Sequence, residues 1–107
     1  MKTKHLENEL IKLRHDFHTH PELNFDVVQT SQKVSNLLND YGLEVHNGIG
    51  KTGVVGVLKK GTSSKSIAIR ADMDALPVTE INNFKHKSKH SGKMHACGHD
   101  GHTTMLL

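Results

Sequence analysis

The stretch Ser66–Pro77, SIAIRADMDALP, decides how this 107-residue chain is read. Residues 66–71 are strand-like and apolar enough to lie centrally in a sheet, and Pro77 keeps the strand from running much further. Two helical segments precede it. Leu6, Leu10, Leu13 and Phe17 recur at steps of four, three and four, which puts them on one helical face. His20-Pro21-Glu22 ends that helix, because proline excludes its predecessor from helical geometry. A second helix is predicted from about Asp26 to Tyr41, with Val27, Val28, Ser31, Val34, Leu37, Leu38 and Tyr41 toward the core. Gly42 sits where a left-handed C-terminal cap is needed.

Between the second helix and the opening stretch, Leu43-Glu44-Val45 is short and alternating. GVVGVLKK, residues 53–60, reads as a strand, and Gly61-Thr62-Ser63-Ser64 as a turn. Downstream, residues 82–93, NNFKHKSKHSGK, read as a solvated basic loop. Helices followed by strands predict an α/β layered fold, and the length allows at most one domain, 1–107.

Composition narrows the function. Hydrophobic residues make up 35% and charged residues 23%, with no apolar run approaching a membrane span. The N-terminus, MKTKHLENEL, lacks the apolar core of a signal peptide, so a cytoplasmic location is expected. A single cysteine excludes an internal disulfide and suits a reducing compartment. The net charge of +3 rests on scattered lysines, and one Tyr, three Phe and no Trp leave no platform for stacking bases; neither nucleic acid nor membrane is an expected partner. Ten histidines are the anomaly, and three of them fall with Cys97 inside GKMHACGHDGHTT, residues 92–104.

Asp72 and Asp74 lie where the apolar strand gives out. Positions two apart in extended backbone point to the same side, so both carboxylates can face one site, although an Asx turn beside Pro77 or a pairing with Arg70 also accounts for them. Cys97 and His99 are also two apart, around Gly98. Thiolate and imidazole together suit zinc or another borderline ion, and nearby carboxylates admit manganese. A nucleophilic Cys–His pair or a loop without chemistry fits the same spacing. His18 and His20, flanking Thr19 before Pro21, read as a helix end more readily than as a metal site.

Three of these stretches together, LRHDFHTHPELNFD, IAIRADMDALPVTE and GKMHACGHDGHTTMLL, resemble the successive N-terminal motifs of the M20 metallopeptidase family. They are most similar to its amidohydrolase branch, which includes aminoacylase-like, hippurate hydrolase and auxin-conjugate hydrolase enzymes. The resemblance runs from about Leu10 to Leu107. It implies that the chain is the N-terminal part of an M20-type catalytic domain, with a central sheet flanked by helices and a lid or dimerisation domain inserted later. It also implies a metal-dependent hydrolase cleaving the amide bond of N-acyl amino acids, using two divalent ions (Mn2+ or Zn2+) and a small-molecule substrate, as a homo-oligomer in full-length form.

By the same resemblance Cys97 and His99 are metal ligands, and Asp74 is the catalytic-site aspartate that supports a ligand histidine. Asp72, at a position where other M20 branches carry a histidine ligand, is a further candidate donor. Two ions sharing a water would lower its pKa, and a general-base glutamate would move its proton to the leaving amine. Neither Glu22 nor Glu80 matches that glutamate. The resemblance places it, the remaining ligands and the lid beyond Leu107, so the 107-residue chain alone is expected to be inactive. The rival expectation is a catalytically dead metal-binding or interaction remnant of the same family.

Overall fold

A computed structural model describes residues 3–107. A short 3-10 turn, Lys4–Leu6, leads into helix α1, Glu7–Thr19, followed by α2, Val28–Asp40, strands β1, Glu44–Ile49, and β2, Gly53–Val57, and finally α3, His99–Leu106. Both predicted helices form, each within a residue or two of its expected ends.

The helix boundaries have identifiable causes. α1 stops at His20, whose φ of −120° and ψ of 62° are the non-helical geometry that the following proline imposes. α2 ends in a Schellman arrangement: the Gly42 N–H donates to the Asn39 carbonyl and the Leu43 N–H to the Leu38 carbonyl, with Gly42 at φ 84°. At the other end of α2 no neighbouring side chain caps the helix. Glu22 does so from a distance, its carboxylate accepting the Gln29 N–H (3.1 Å), the Thr30 N–H (2.6 Å) and the Thr30 hydroxyl (2.6 Å). Of the positions expected to face the core, Val27 and Val34 are buried, whereas Val28 and Tyr41 are exposed. Thr30 and Ser35 take inward positions instead, Thr30 because its N–H and hydroxyl are held by the Glu22 carboxylate.

β1 and β2 pair antiparallel from Glu44↔Val57 to Ile49↔Gly53, with an irregularity between Asn47 and Ile49. The hairpin lies against α2 at Gly56, where a Cβ would come within 3.0 Å of Leu43 and 3.2 Å of Leu38.

The strand expected over residues 66–71 does not form a ladder. Among the described residues the sheet has two strands, and Ile67 and Ile69 are 91% and 74% exposed. A strand needs a neighbour to take its N–H and C=O groups, and none of the described residues pairs with this segment. Its continuation is nevertheless pinned. Ala75 bridges Leu23 in parallel, and Leu76 bridges Met94 antiparallel, so the aspartate stretch is fastened to both the Pro21 loop and the cysteine stretch.

The buried apolar set is small, comprising Phe17, Val27, Val34 and Ala75 with the fully buried Pro21. Among the described residues eight polar ones are buried beside it, including His18, His95, Asp100, Thr103 and Thr104. Most of these polar groups, His95 excepted, find hydrogen-bond partners within the chain, and those bonds build the site.

Candidate metal centre

The Leu76–Met94 pair is the hinge of the site. The Leu76 N–H donates to the Met94 carbonyl (2.9 Å) and the Met94 N–H donates back (3.0 Å), which brings Asp74 beside the turn at Cys97–His99. Gly98 makes that turn. Its φ of 104° and ψ of 7° lie in the left-handed region, and it serves as N-cap of α3. α3 is then fixed to the aspartate stretch by the Thr103 hydroxyl, which donates to the Asp72 carbonyl (3.0 Å).

His99 is held by Asp74. Its Nδ1 lies 2.8 Å from the Asp74 carbonyl oxygen and 3.1 Å from Oδ1 of the carboxylate. Both are acceptors, so Nδ1 carries the hydrogen, and in the neutral ring Nε2 keeps its lone pair for another partner. This is the arrangement in which a carboxylate fixes the tautomer and direction of a ligand imidazole. Cys97, immediately before the glycine, is a free and exposed thiol. Asp72 goes elsewhere: its carboxylate accepts from the Arg70 guanidinium at 2.6 Å on an exposed stretch.

A buried polar chain, not anticipated as a unit from the sequence, adjoins this turn. His18, 3% exposed, lies with Nδ1 2.8 Å from Oδ2 of Asp100 and Nε2 3.0 Å from Oε1 of Glu80. Arg14 Nε adds a contact to the same Asp100 oxygen at 3.3 Å. Burial works to raise the Asp100 carboxyl, but the His18 and Gly101 hydrogen bonds and the charge of Arg14 outweigh it and hold the group below its usual range. For Glu80, burial again opposes ionisation. Hydrogen bonds from Asn82, the Ser88 N–H and His18, with the charge of His18, bring it from 4.5 down to about 2. Neither glutamate stands free as a base, since Glu22 caps α2 and Glu80 holds His18.

The basic loop is docked rather than wholly solvated. The Lys89 N–H donates to the Thr19 carbonyl (2.9 Å), and His86 stacks on His15 with ring centroids 3.6 Å apart. Burial, followed by the charges of His15, His18 and Arg14, pushes the His86 pKa down. His20, by contrast, sits where the sequence put it, with Nδ1 on the Asp16 carbonyl at the helix end.

The residues present fit part of a metal site. Cys97 offers sulfur, and His99 offers an imidazole whose second nitrogen is already engaged. Among the described residues, however, no three of His, Cys, Asp and Glu come together to hold an ion. Buried His95 has neither ring nitrogen hydrogen-bonded. Burial lowers its pKa first, and neighbouring His18 and His99 push it further down against the pull of Asp100 and Asp74.

Sulfur and an oriented imidazole flank one glycine turn, and comparison with known proteins supplies the context for that motif. Residues 68–107 match the profile of peptidase family M20/M25/M40. The chain is 58% identical over 102 residues to hippurate hydrolase of Campylobacter jejuni, a match covering 95% of this chain and 27% of that protein. It is 47% identical over 103 residues to N-acyl-L-amino acid amidohydrolase of Geobacillus stearothermophilus, covering 95% and 28%. The crystal structure of the Bacillus subtilis YXEP protein, described as a dinuclear metal binding peptidase from the M20 family, superposes with a TM-score of 0.88 at 44% identity, over 94% of this chain and 28% of that one. The chain is similar to M20 peptidases along nearly all its length, with the family profile matching residues 68–107, and it spans about a quarter of the length of the relatives it matches. None of its described helices is long and apolar enough to cross a membrane.

Proposed function

We propose that this chain contributes part of the active site of a metal-dependent amidohydrolase that hydrolyses the amide bond of N-acyl amino acids. Cys97 and His99 are the metal ligands contributed by the chain, and Asp74 is the residue that orients His99. The observation that carries this reading is the pair of contacts from His99 Nδ1 to Asp74, which leaves the Nε2 lone pair available two residues along the chain from an exposed thiol. The similarity to hippurate hydrolase and to N-acyl-L-amino acid amidohydrolase supports the substrate class. The likeness to a dinuclear metal binding peptidase supports two ions per complete site, Mn2+ or Zn2+.

When bound, the two ions supply a Lewis acid for the scissile carbonyl and a water acidic enough to act as nucleophile near neutral pH. The chain's own residues prepare that chemistry. Asp74 keeps the His99 hydrogen on Nδ1 and fixes the ring direction. Cys97, as thiolate, offsets cationic charge. Gly98 lets both donors leave one tight turn. Asp72, engaged by Arg70, is left out of the donor set. Two donors do not complete a dinuclear site, so the 107 residues alone are expected to turn nothing over. A thiolate ligand also suits a reducing cytoplasm.

The test is metal content and hydrolysis of a panel of N-acyl amino acids by the intact protein containing these residues, alongside the 107-residue chain and a Cys97→Ser variant. Metal and turnover in the intact protein alone, each falling at least about tenfold in Cys97→Ser, is the expected result. Activity that persists without metal, or turnover by the 107-residue chain, would overturn the reading.

A further inference from the structure

The geometry points to His18 as a positioning residue for the Cys97–His99 donor pair. This inference rests on the reading that those two residues bind a metal.

The turn that carries the donors cannot hold them by itself. Gly98 is the residue between them, and glycine is the least conformationally restrained residue in the chain. The placement of His99 relative to Cys97 therefore depends on anchors on the His99 side of the turn. One is known already: Asp74 takes His99 Nδ1. The next residue along, Asp100, supplies the other. Its Oδ1 accepts the Gly101 N–H at 2.9 Å within the first turn of α3. Its Oδ2 is held by His18 Nδ1 at 2.8 Å and by Arg14 Nε at 3.3 Å, both from α1. Thr104 adds a hydroxyl to the Asp100 carbonyl at 2.7 Å.

His18 is itself fixed from behind. Its Nε2 lies 3.0 and 3.1 Å from the two oxygens of Glu80, and Glu80 is gripped by Asn82 Nδ2 (2.8 Å) and the Ser88 N–H (2.7 Å). Ionised carboxylates only accept, so both ring nitrogens of His18 donate. One line of hydrogen bonds thus runs from Ser88 through Glu80 and His18 to Asp100, the residue adjoining His99. Neutral glutamine in place of His18 has an oxygen at one end of its amide, which would face a carboxylate.

A buried triad of this kind is a weak source of stability, because desolvating the charges offsets most of their attraction. What it supplies is direction. His18 lies at the centre of the triad with its side chain 4% exposed, between carboxylates from two different parts of the chain, 62 and 82 residues away. It fastens α3, and hence the donor turn, to α1.

The experiment uses the intact protein loaded with Co2+ as probe, read by affinity and by the sulfur-to-cobalt charge-transfer band. His18→Gln is compared with Glu80→Gln, and with Glu22→Ala, which weakens α2 without touching this network. The expected result is a Co2+ affinity about 10–100-fold lower in His18→Gln, with an altered charge-transfer band, while Glu22→Ala keeps the wild-type band. A folded His18→Gln with an unchanged band and an affinity within about twofold of wild type would overturn the inference. Should His18→Gln fail to fold, Glu80→Gln, which keeps an acceptor for Ser88, decides by the same criteria. If Cys97→Ser and His99→Ala leave Co2+ binding unchanged, the metal reading itself fails and this inference falls with it.

Discussion

Two glycines three residues apart should respond to alanine with opposite signs. Gly98 has φ 104°, and a Cβ there would meet only His102, at 3.7 and 3.8 Å, which is ordinary contact. The cost of Gly98→Ala is therefore conformational and not steric crowding by neighbours. An L-residue in left-handed geometry costs about 1–2 kcal/mol, and 104° lies at the far side of that region from the centre of its well. Gly101 is helical, and a Cβ there would meet nothing within 4 Å. Removing backbone entropy from the unfolded chain and improving helix propensity should make Gly101→Ala stabilising by about 0.5–1 kcal/mol. The expected separation between the two variants is about 1.5–3 kcal/mol, read as the difference in unfolding free energy from urea titrations followed by circular dichroism. Gly98→Ala should also weaken Co2+ binding, since any relaxation of the strain moves Cys97 relative to His99. Two variants shifting stability in the same direction, or Gly98→Ala within about 0.5 kcal/mol of wild type, would refute the reasoning.

Acid should act through Glu80. Its folded value of about 2 lies below the ordinary 4.5, so the stability it contributes is complete above pH 4.5 and is lost as pH falls toward 2. Glu80→Gln should flatten that acid limb of the stability profile, and a limb identical to wild type would contradict the assignment. Glu22→Ala should destabilise by about 1–3 kcal/mol, because it leaves the N–H and hydroxyl of buried Thr30 without their acceptor. A change in urea midpoint equivalent to less than about 0.5 kcal/mol would show that water replaces the cap freely.

Much of this molecule is legible in local chemistry. The steps Leu6–Leu10–Leu13–Phe17 mark α1, the proline at 21 fixes its end, and Gly42 supplies the left-handed residue that closes α2. The motif around Cys97 is equally local, since a glycine between sulfur and imidazole is visible in three letters. The strand expected at 66–71 is a different case. Its apolar residues are suited to a sheet, but a ladder is a property of two segments, and no described segment pairs with this one. Val28 and Tyr41 fit the helical period yet face solvent, because the period says which residues share a face and not what lies opposite.

The partners of His18 show the same division most sharply. Nothing near residue 18 names Glu80 or Asp100, which lie 62 and 82 positions away, and the local pattern His-Thr-His-Pro describes only a helix end. His20 is that helix end, bonded to the Asp16 carbonyl four residues back, while His18 is turned into a buried triad. Sequence by itself determined what is written in short range: helix period, caps, the glycine turn and the types of donor on it. Tertiary structure alone decided which carboxylate meets which imidazole, because hydrogen bonds between buried groups are set by packing across the chain and not by neighbours along it.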